Sequence, residues 1–150
     1  MLHPITEVLA YFRPWIALSF PTRFRYGWWV PISHVVVVDD DDAIRSIVVS
    51  VVHEAIPTAQ VSAHTSAVHA LQEISTGSID LLITNCHMPD MDGPTLIKTL
   101  RQGKNGIPII MVSGSDEARQ LAEDVGVDIF VPKHVLHAAL TDAIRSLIAA

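Results

Sequence analysis

The chain has 150 residues, of which 49% are hydrophobic and 17% charged, enough for one domain with a sizeable core and too apolar for a disordered polymer. Ten basic residues against sixteen acidic ones leave a net charge of −6, which argues against nonspecific nucleic-acid binding. A single cysteine excludes an internal disulfide and fits a reducing, cytoplasmic setting, and no uninterrupted apolar run of about eighteen residues is present to span a membrane.

Residues 1–33 differ sharply in composition from the rest of the chain. Eight of the nine aromatics (Tyr11, Phe12, Trp15, Phe20, Phe24, Tyr26, Trp28 and Trp29) fall there, with Pro4, Pro14, Pro21 and Pro31. The segment carries a net +2, which leaves −8 for residues 34–150. Interleaved Trp and Arg give residues 1–29 the chain's one stretch of membrane-surface character. No export-type cleavage site follows the short Trp15–Phe20 run. The composition predicts an N-terminal extension over 1–33, disordered or foreign to the native protein, and a domain over 34–150. Valine is also what an internal GUG initiation codon encodes, so Val30 is the expected functional start.

The domain reads as a regular alternation. Val35–Val38 is a continuous β-branched run, the mark of a strand buried on both faces. Asp41 or Asp42 can cap a helix carrying Ile44, Ile47, Val48, Val51 and Val52, which Pro57 closes. Ala59–Ala63 is the next strand, and Val68, Leu71 and Ile74 mark a helix ending at Gly77. Ile79–Thr84 is a third strand, followed by a helix with Leu96, Ile97 and Leu100 and a Gly103–Gly106 turn. Ile107–Val112, Asp116–Asp124, Val127–Val131 and Val135–Ile148 complete the series as strand, helix, strand, helix. Five strands alternating with five helices predict an α/β, doubly wound, parallel sheet. Ligands on such sheets bind beyond the carboxyl ends of the strands.

At those ends stand Asp39-Asp40-Asp41-Asp42, Asn85-Cys86-His87, Ser113 and Lys133. Four adjacent carboxylates repel unless a cation or solvent separates them, and hard oxygen ligands at a strand end suit Mg²⁺. A hydroxyl and an ammonium beside an acidic pair suit a phosphoryl group and its metal. The spacings of His64 with His69 and of His134 with His137 imitate metal motifs, but no carboxylate or cysteine joins them at a zinc-like interval, which favours surface histidines.

The segments VVVVDDDDAIR (35–45), IDLLITNCHMPDMDG (79–93), IIMVSG (109–114) and GVDIFVPK (126–133) resemble, in order and spacing, the receiver domain of two-component response regulators. The resemblance covers residues 35–150 and implies the flavodoxin-like receiver fold. It also implies that Asp39 and Asp40 are the acidic pair for Mg²⁺, Ser113 the switching hydroxyl, Phe130 the aromatic switch and Lys133 the lysine that pairs with the phosphoryl group. A histidine kinase, a downstream effector or a second copy of the chain is the implied partner, through a face including Arg119, Phe130 and Arg145. The resemblance implies a signalling module and not an enzyme.

Two departures from the family pattern matter. The phosphoacceptor aspartate lies four residues before the proline of the Met-Pro pair, and here that place is Asn85. An amide has no anionic oxygen to attack phosphorus, which makes this a pseudo-receiver in a phosphorelay. The same change leaves Asp39, Asp40, Asn85 and His87 as a weakened metal set, with Asn85 open to bonds from Ser113 and Lys133. The second departure is Lys133-His134 in place of Lys-Pro, for which a trans bond is expected, since a non-proline cis bond costs roughly 3 kcal/mol. The alternative from the enzyme class is a haloacid-dehalogenase-type Mg²⁺-dependent phosphatase using Asp39, Asp41, Ser113 and Lys133. It needs a late acidic pair, and only Asp142 follows Lys133.

Overall fold

The computed structural model describes the backbone of residues 22–25 and 28–149, with side chains from Pro31 to Ala149. Expectations placed on residues 1–21 lie outside the described residues. An antiparallel pair, β1 (Thr22–Arg25) and β2 (Trp28–Pro31), comes first, in the register Thr22 to Pro31 and Arg25 to Trp28. Its β1 strand runs alongside the final helix. The alternation then runs β3 (His34–Val38), α1 (Asp42–Ala55), β4 (Gln60–His64), α2 (Ala67–Thr76), β5 (Leu81–Asn85) and α3 (Gly93–Gln102). It continues through β6 (Ile109–Ser113), α4 (Glu117–Asp124), β7 (Ile129–Pro132), a 3-10 turn (Lys133–Val135) and α5 (Leu136–Ala149).

β3 to β7 form one parallel sheet in the order β4-β3-β5-β6-β7. Odd and even residues of each strand serve two separate cores, as the two-residue period requires. Val35, Val37, Leu81, Ile83, Ile110 and Val112 face α1 and α5. Val36, Val38, Leu82, Ile109 and Met111 face α2, α3 and α4. With both faces covered, Val35–Val38 are at most 1% exposed. The expected doubly wound, five-stranded parallel sheet with five flanking helices is therefore found.

The differences from expectation are local. Ile79 and Ile107 are buried, but the ladders begin later, at Leu81 and Ile109, and Pro108 between the latter pair has no N–H to donate. In α1 the buried stripe is Val48, Val51 and Val52, while Ile47 lies about 100° round the helix from Val48 and is exposed. In α2 the stripe is Ala67, Ala70 and Ile74, and Val68 is exposed. The β1–β2 pair has no counterpart in the sequence expectations; the available signal was a glycine-containing two-residue connection between short runs of β-formers. The packed core also starts inside the expected extension, because Ile32 is 1% exposed among the α1/α5-side residues. No helix among the described residues is long and apolar enough to cross a membrane.

Aspartates brace the amino ends of the strands. Asp80 Oδ2 accepts from the Ser33 N–H, the Ser33 hydroxyl and the His34 N–H. Asp128 Oδ2 likewise accepts from the Ile109 N–H at 2.8 Å. The edge strand β4 is tied to α2 by a half-buried polar cluster. The Ser62 hydroxyl donates to Glu73 Oε1 at 2.7 Å, His64 Nε2 lies 2.5 Å from Glu73 Oε2, and His34 Nε2 lies 2.9 Å from Ser62 Oγ. His64 is thus a partner of a carboxylate nine residues away and not the free surface residue expected from sequence. The Ser62 hydroxyl, followed by His64 and His34, holds the Glu73 carboxyl below its usual range. A carboxyl depressed in the fold contributes stability above its unfolded value and loses it as pH falls through the folded value. Glu73→Gln is therefore expected to cost about 1 kcal/mol at neutral pH and less at an acidic pH below the ordinary carboxyl range, as followed by urea unfolding at the two pH values. An equal loss at both would mean that shape, not charge, holds β4 to α2.

Candidate functional site

Sheet register brings the candidate residues to one end. Val38 pairs with Thr84, Thr84 with Met111, and Met111 with Phe130, so the residues just beyond this row emerge together. The sheet order also reverses between β3 and β5, because β4 lies on one side of β3 and β5 to β7 lie on the other. That switch point is where an open α/β sheet leaves a crevice.

Each of the four consecutive aspartates has a different partner. Asp39 is 2% exposed, accepts from the Asp41 N–H at 2.9 Å, and places its other oxygen 3.2 Å from Lys133 Nζ. Burial pushes its carboxyl above the usual aspartate range, and the Asp41 N–H and the Lys133 ammonium oppose that rise. Asp40 accepts from the Asn85 amide at 3.0 Å. Asp41 caps α1, accepting from the Ala43 and Ile44 N–H groups, and these bonds hold its carboxyl below the usual range. Asp42 pairs with Arg45, which also donates to the Asp39 carbonyl at 2.8 Å. A local donor therefore meets each of the four carboxylates.

Asn85 ends β5 and is 7% exposed. Its Nδ2 donates to Asp40 Oδ1 at 3.0 Å and to the His87 carbonyl at 2.8 Å, while its Oδ1 accepts from the Cys86 N–H at 2.9 Å. The reversed amide would set its oxygen against two acceptors, so the network fixes the orientation. Lys133 and Ser113 do not bond to Asn85 as expected from sequence. Lys133 pairs with Asp39, and the buried Ser113 hydroxyl accepts from the Ser115 N–H at 3.3 Å. The reason is electrostatic: a buried carboxylate attracts an ammonium more strongly than a neutral amide does.

The loop after β5 is closed by its own residues. Gly93 N–H donates to the Cys86 carbonyl at 2.8 Å, and Asp92 Oδ1 accepts from the Thr95 N–H at 2.7 Å to cap α3. Asp90 accepts from the Ser66 hydroxyl and the Met91 N–H, which hold its carboxyl down to about 2. Both loop carboxylates therefore have structural partners. Cys86 is fully buried, as expected of a small core residue, and burial pushes its thiol up, with the Asp92 charge adding to the effect. His87 is exposed, and its carbonyl accepts from the Asn85 amide in the crevice. Among the described residues no three His, Cys, Asp or Glu side chains come together as a metal-holding group.

Phe130 is half-buried against the α2/α3/α4 core, and the Arg119 guanidinium carbon sits 4.7 Å over its ring. Sequence places both residues on one face but gives no sign that they stack. The Lys133–His134 peptide is trans, as expected, and leads into the 3-10 turn, with His134 exposed.

Residues 35–145 match the response regulator receiver domain family. The chain is 31% identical over 106 residues to the cyclic di-GMP phosphodiesterase response regulator RpfG of Xanthomonas campestris, covering 68% of this chain and 28% of that protein. It is 35% identical over 109 residues to the sensor kinase CckA of Brucella abortus, covering 66% of this chain and 11% of that protein. The chain thus spans only a minor part of these relatives. Among solved structures, the Francisella response regulator 1452 receiver domain superposes with a TM-score of 0.69 at 25% identity, covering 78% of this chain and 97% of that one. The chemotaxis response regulator CheY4 of Vibrio cholerae shares the fold at a TM-score of 0.69 and 23% identity, covering 77% of this chain and 98% of that one. With its strand-end acids, hydroxyl and lysine gathered at the switch point of this sheet, the chain belongs to the response regulator receiver domain family.

Proposed function

We propose that this domain works in the cytoplasm, in two-component signalling, as a receiver that takes no phosphoryl group and acts by protein contact alone. One observation carries the proposal: the residue at the end of β5 is Asn85, whose amide is held between Asp40 and the His87 carbonyl. Phosphoryl transfer to a receiver needs a carboxylate oxygen at that place as nucleophile. The nearby carboxylates do not replace it, since Asp90 serves Ser66 and Asp92 serves Thr95. Asp39 and Lys133, which would otherwise face an incoming phosphoryl group, are paired with each other. The partners are a histidine kinase, a downstream effector or a second copy, met through the surface that includes Arg119, Phe130 and Arg145. The Arg119–Phe130 stack supports this, because it fixes the aromatic ring without any phosphoryl signal. Of the expected extension 1–33, Ile32 and Ser33 are tied into the domain, and the segment before them lies outside that task. The phosphatase alternative gains nothing from the structure, as Asp142 is exposed along α5 and not at a strand end.

Acetyl phosphate with Mg²⁺, followed by intact mass, tests the proposal. The chain is expected to show no adduct, and Asn85→Asp an added phosphoryl mass. The unlabelled mass must first exclude deamidation of Asn85, which would create the acceptor. A phosphoryl adduct on the unchanged chain would end the proposal.

A further inference from the structure

The family implies a divalent cation at this crevice, and the donor set here does not fit one. An oxygen of each group that would bind it already accepts from a protein donor: Asp39 Oδ1 from the Asp41 N–H with Lys133 beside Oδ2, and Asp40 Oδ1 and the His87 carbonyl from the Asn85 amide. The amide oxygen of Asn85 is turned to the Cys86 N–H. We infer that the Asn85 –NH₂ and the Lys133 ammonium stand in for the divalent cation, the amide by occupying its oxygens and the ammonium by offsetting the buried Asp39 charge, so that the pocket excludes Mg²⁺. The inference rests on Asn85 being the residue at the acceptor place.

The chemistry is one of substitution. A cation between Asp40 and the His87 carbonyl would satisfy two oxygens, and the two N–H bonds of one primary amide satisfy the same two, at 3.0 and 2.8 Å. To admit the cation, the amide would have to rotate, break both bonds and surrender the Cys86 N–H bond at the end of a buried strand. Asp39 contributes the other buried charge, and the ammonium beside it supplies the compensation a cation would otherwise give. An aspartate at position 85 would reverse this balance. It has no donor for Asp40 or for the His87 carbonyl, and it adds a third carboxylate that only a cation relieves.

The test is a Mg²⁺ titration at constant ionic strength, read from the backbone amide resonances of Asp39, Asp40, Asn85 and Cys86. The unchanged chain is expected to show no saturable shift up to about 20 mM Mg²⁺, whereas Asn85→Asp saturates with a Kd at least tenfold below that limit. Asn85→Ala removes the amide without adding charge. It should also gain a saturable response, which keeps the test decisive if three carboxylates prevent Asn85→Asp from folding. Saturable binding by the unchanged chain would overturn the inference. So would silence in every variant, because the amide would then not be what keeps the cation out. Phosphoryl labelling is measured separately by mass, so a failure of the functional proposal is distinguishable from a failure of this one.

Discussion

Gly93→Ala is expected to lower the stability of the domain by about 3 kcal/mol, a large share of the total stability of a domain this size. A Cβ built on Gly93 would lie 2.3 Å from the Asn85 carbonyl oxygen and 3.2 Å from Cys86 Cα. Both atoms are main chain of the β5 end, so no side-chain rotation relieves the overlap; either α3 must lift or the strand end must move. Lifting α3 would break the Gly93 N–H bond to Cys86 and disturb Leu96 and Ile97, both fully buried. Gly106→Ala is the control, since a Cβ there meets nothing within 4 Å and the backbone does not need glycine's freedom. Urea unfolding of the two variants decides the matter. If they lose similar amounts, the seating of α3 on Asn85 is softer than its geometry implies.

Lys133→Met should have the next largest effect, about 3 kcal/mol at neutral pH, because it leaves Asp39 charged and buried with only the Asp41 N–H to oppose burial. The sign with pH is set by the direction in which Asp39 is shifted. Its carboxyl is raised in the fold, so the cost of ionising it is fully present above its folded value and absent below its unfolded one. Removing the ammonium raises it further, which makes the variant's deficit greatest at neutral pH and smaller as the solution is acidified through Asp39. Urea unfolding at pH 7 and at about pH 4.5 reads this directly. A deficit independent of pH would assign the loss to the packing of the lysine stem instead.

The strands and their order of appearance were legible because burial on both faces leaves continuous β-branched or aliphatic runs such as Val35–Val38 and Leu81–Ile83. The end of the sheet that carries the polar residues followed from the parallel topology. The pairings inside the crevice were not legible. The bond from Asn85 to Asp40 spans 45 residues, and Lys133 meets Asp39 only because β7 and β3 end at the same level. No local pattern records such meetings. Sequence divided the four aspartates into a capping pair, Asp41 and Asp42, and a crevice pair, Asp39 and Asp40, whereas backbone direction gives each member of either pair its own environment. The Ser62–Glu73–His64 cluster escaped for a related reason, since two of its members lie on a strand and one on the following helix.

The burial of Cys86 has a use beyond the pocket. It is the chain's one thiol, it immediately follows Asn85, and it lies under the loop that Gly93 closes. With its ionisation suppressed by burial and by Asp92, the native thiol does not react with a disulfide reagent until that loop opens. Its labelling rate relative to that of an unfolded cysteine peptide then gives the opening equilibrium of this one segment, with no probe attached. The residue beside Asn85 thus reports how often this segment comes apart.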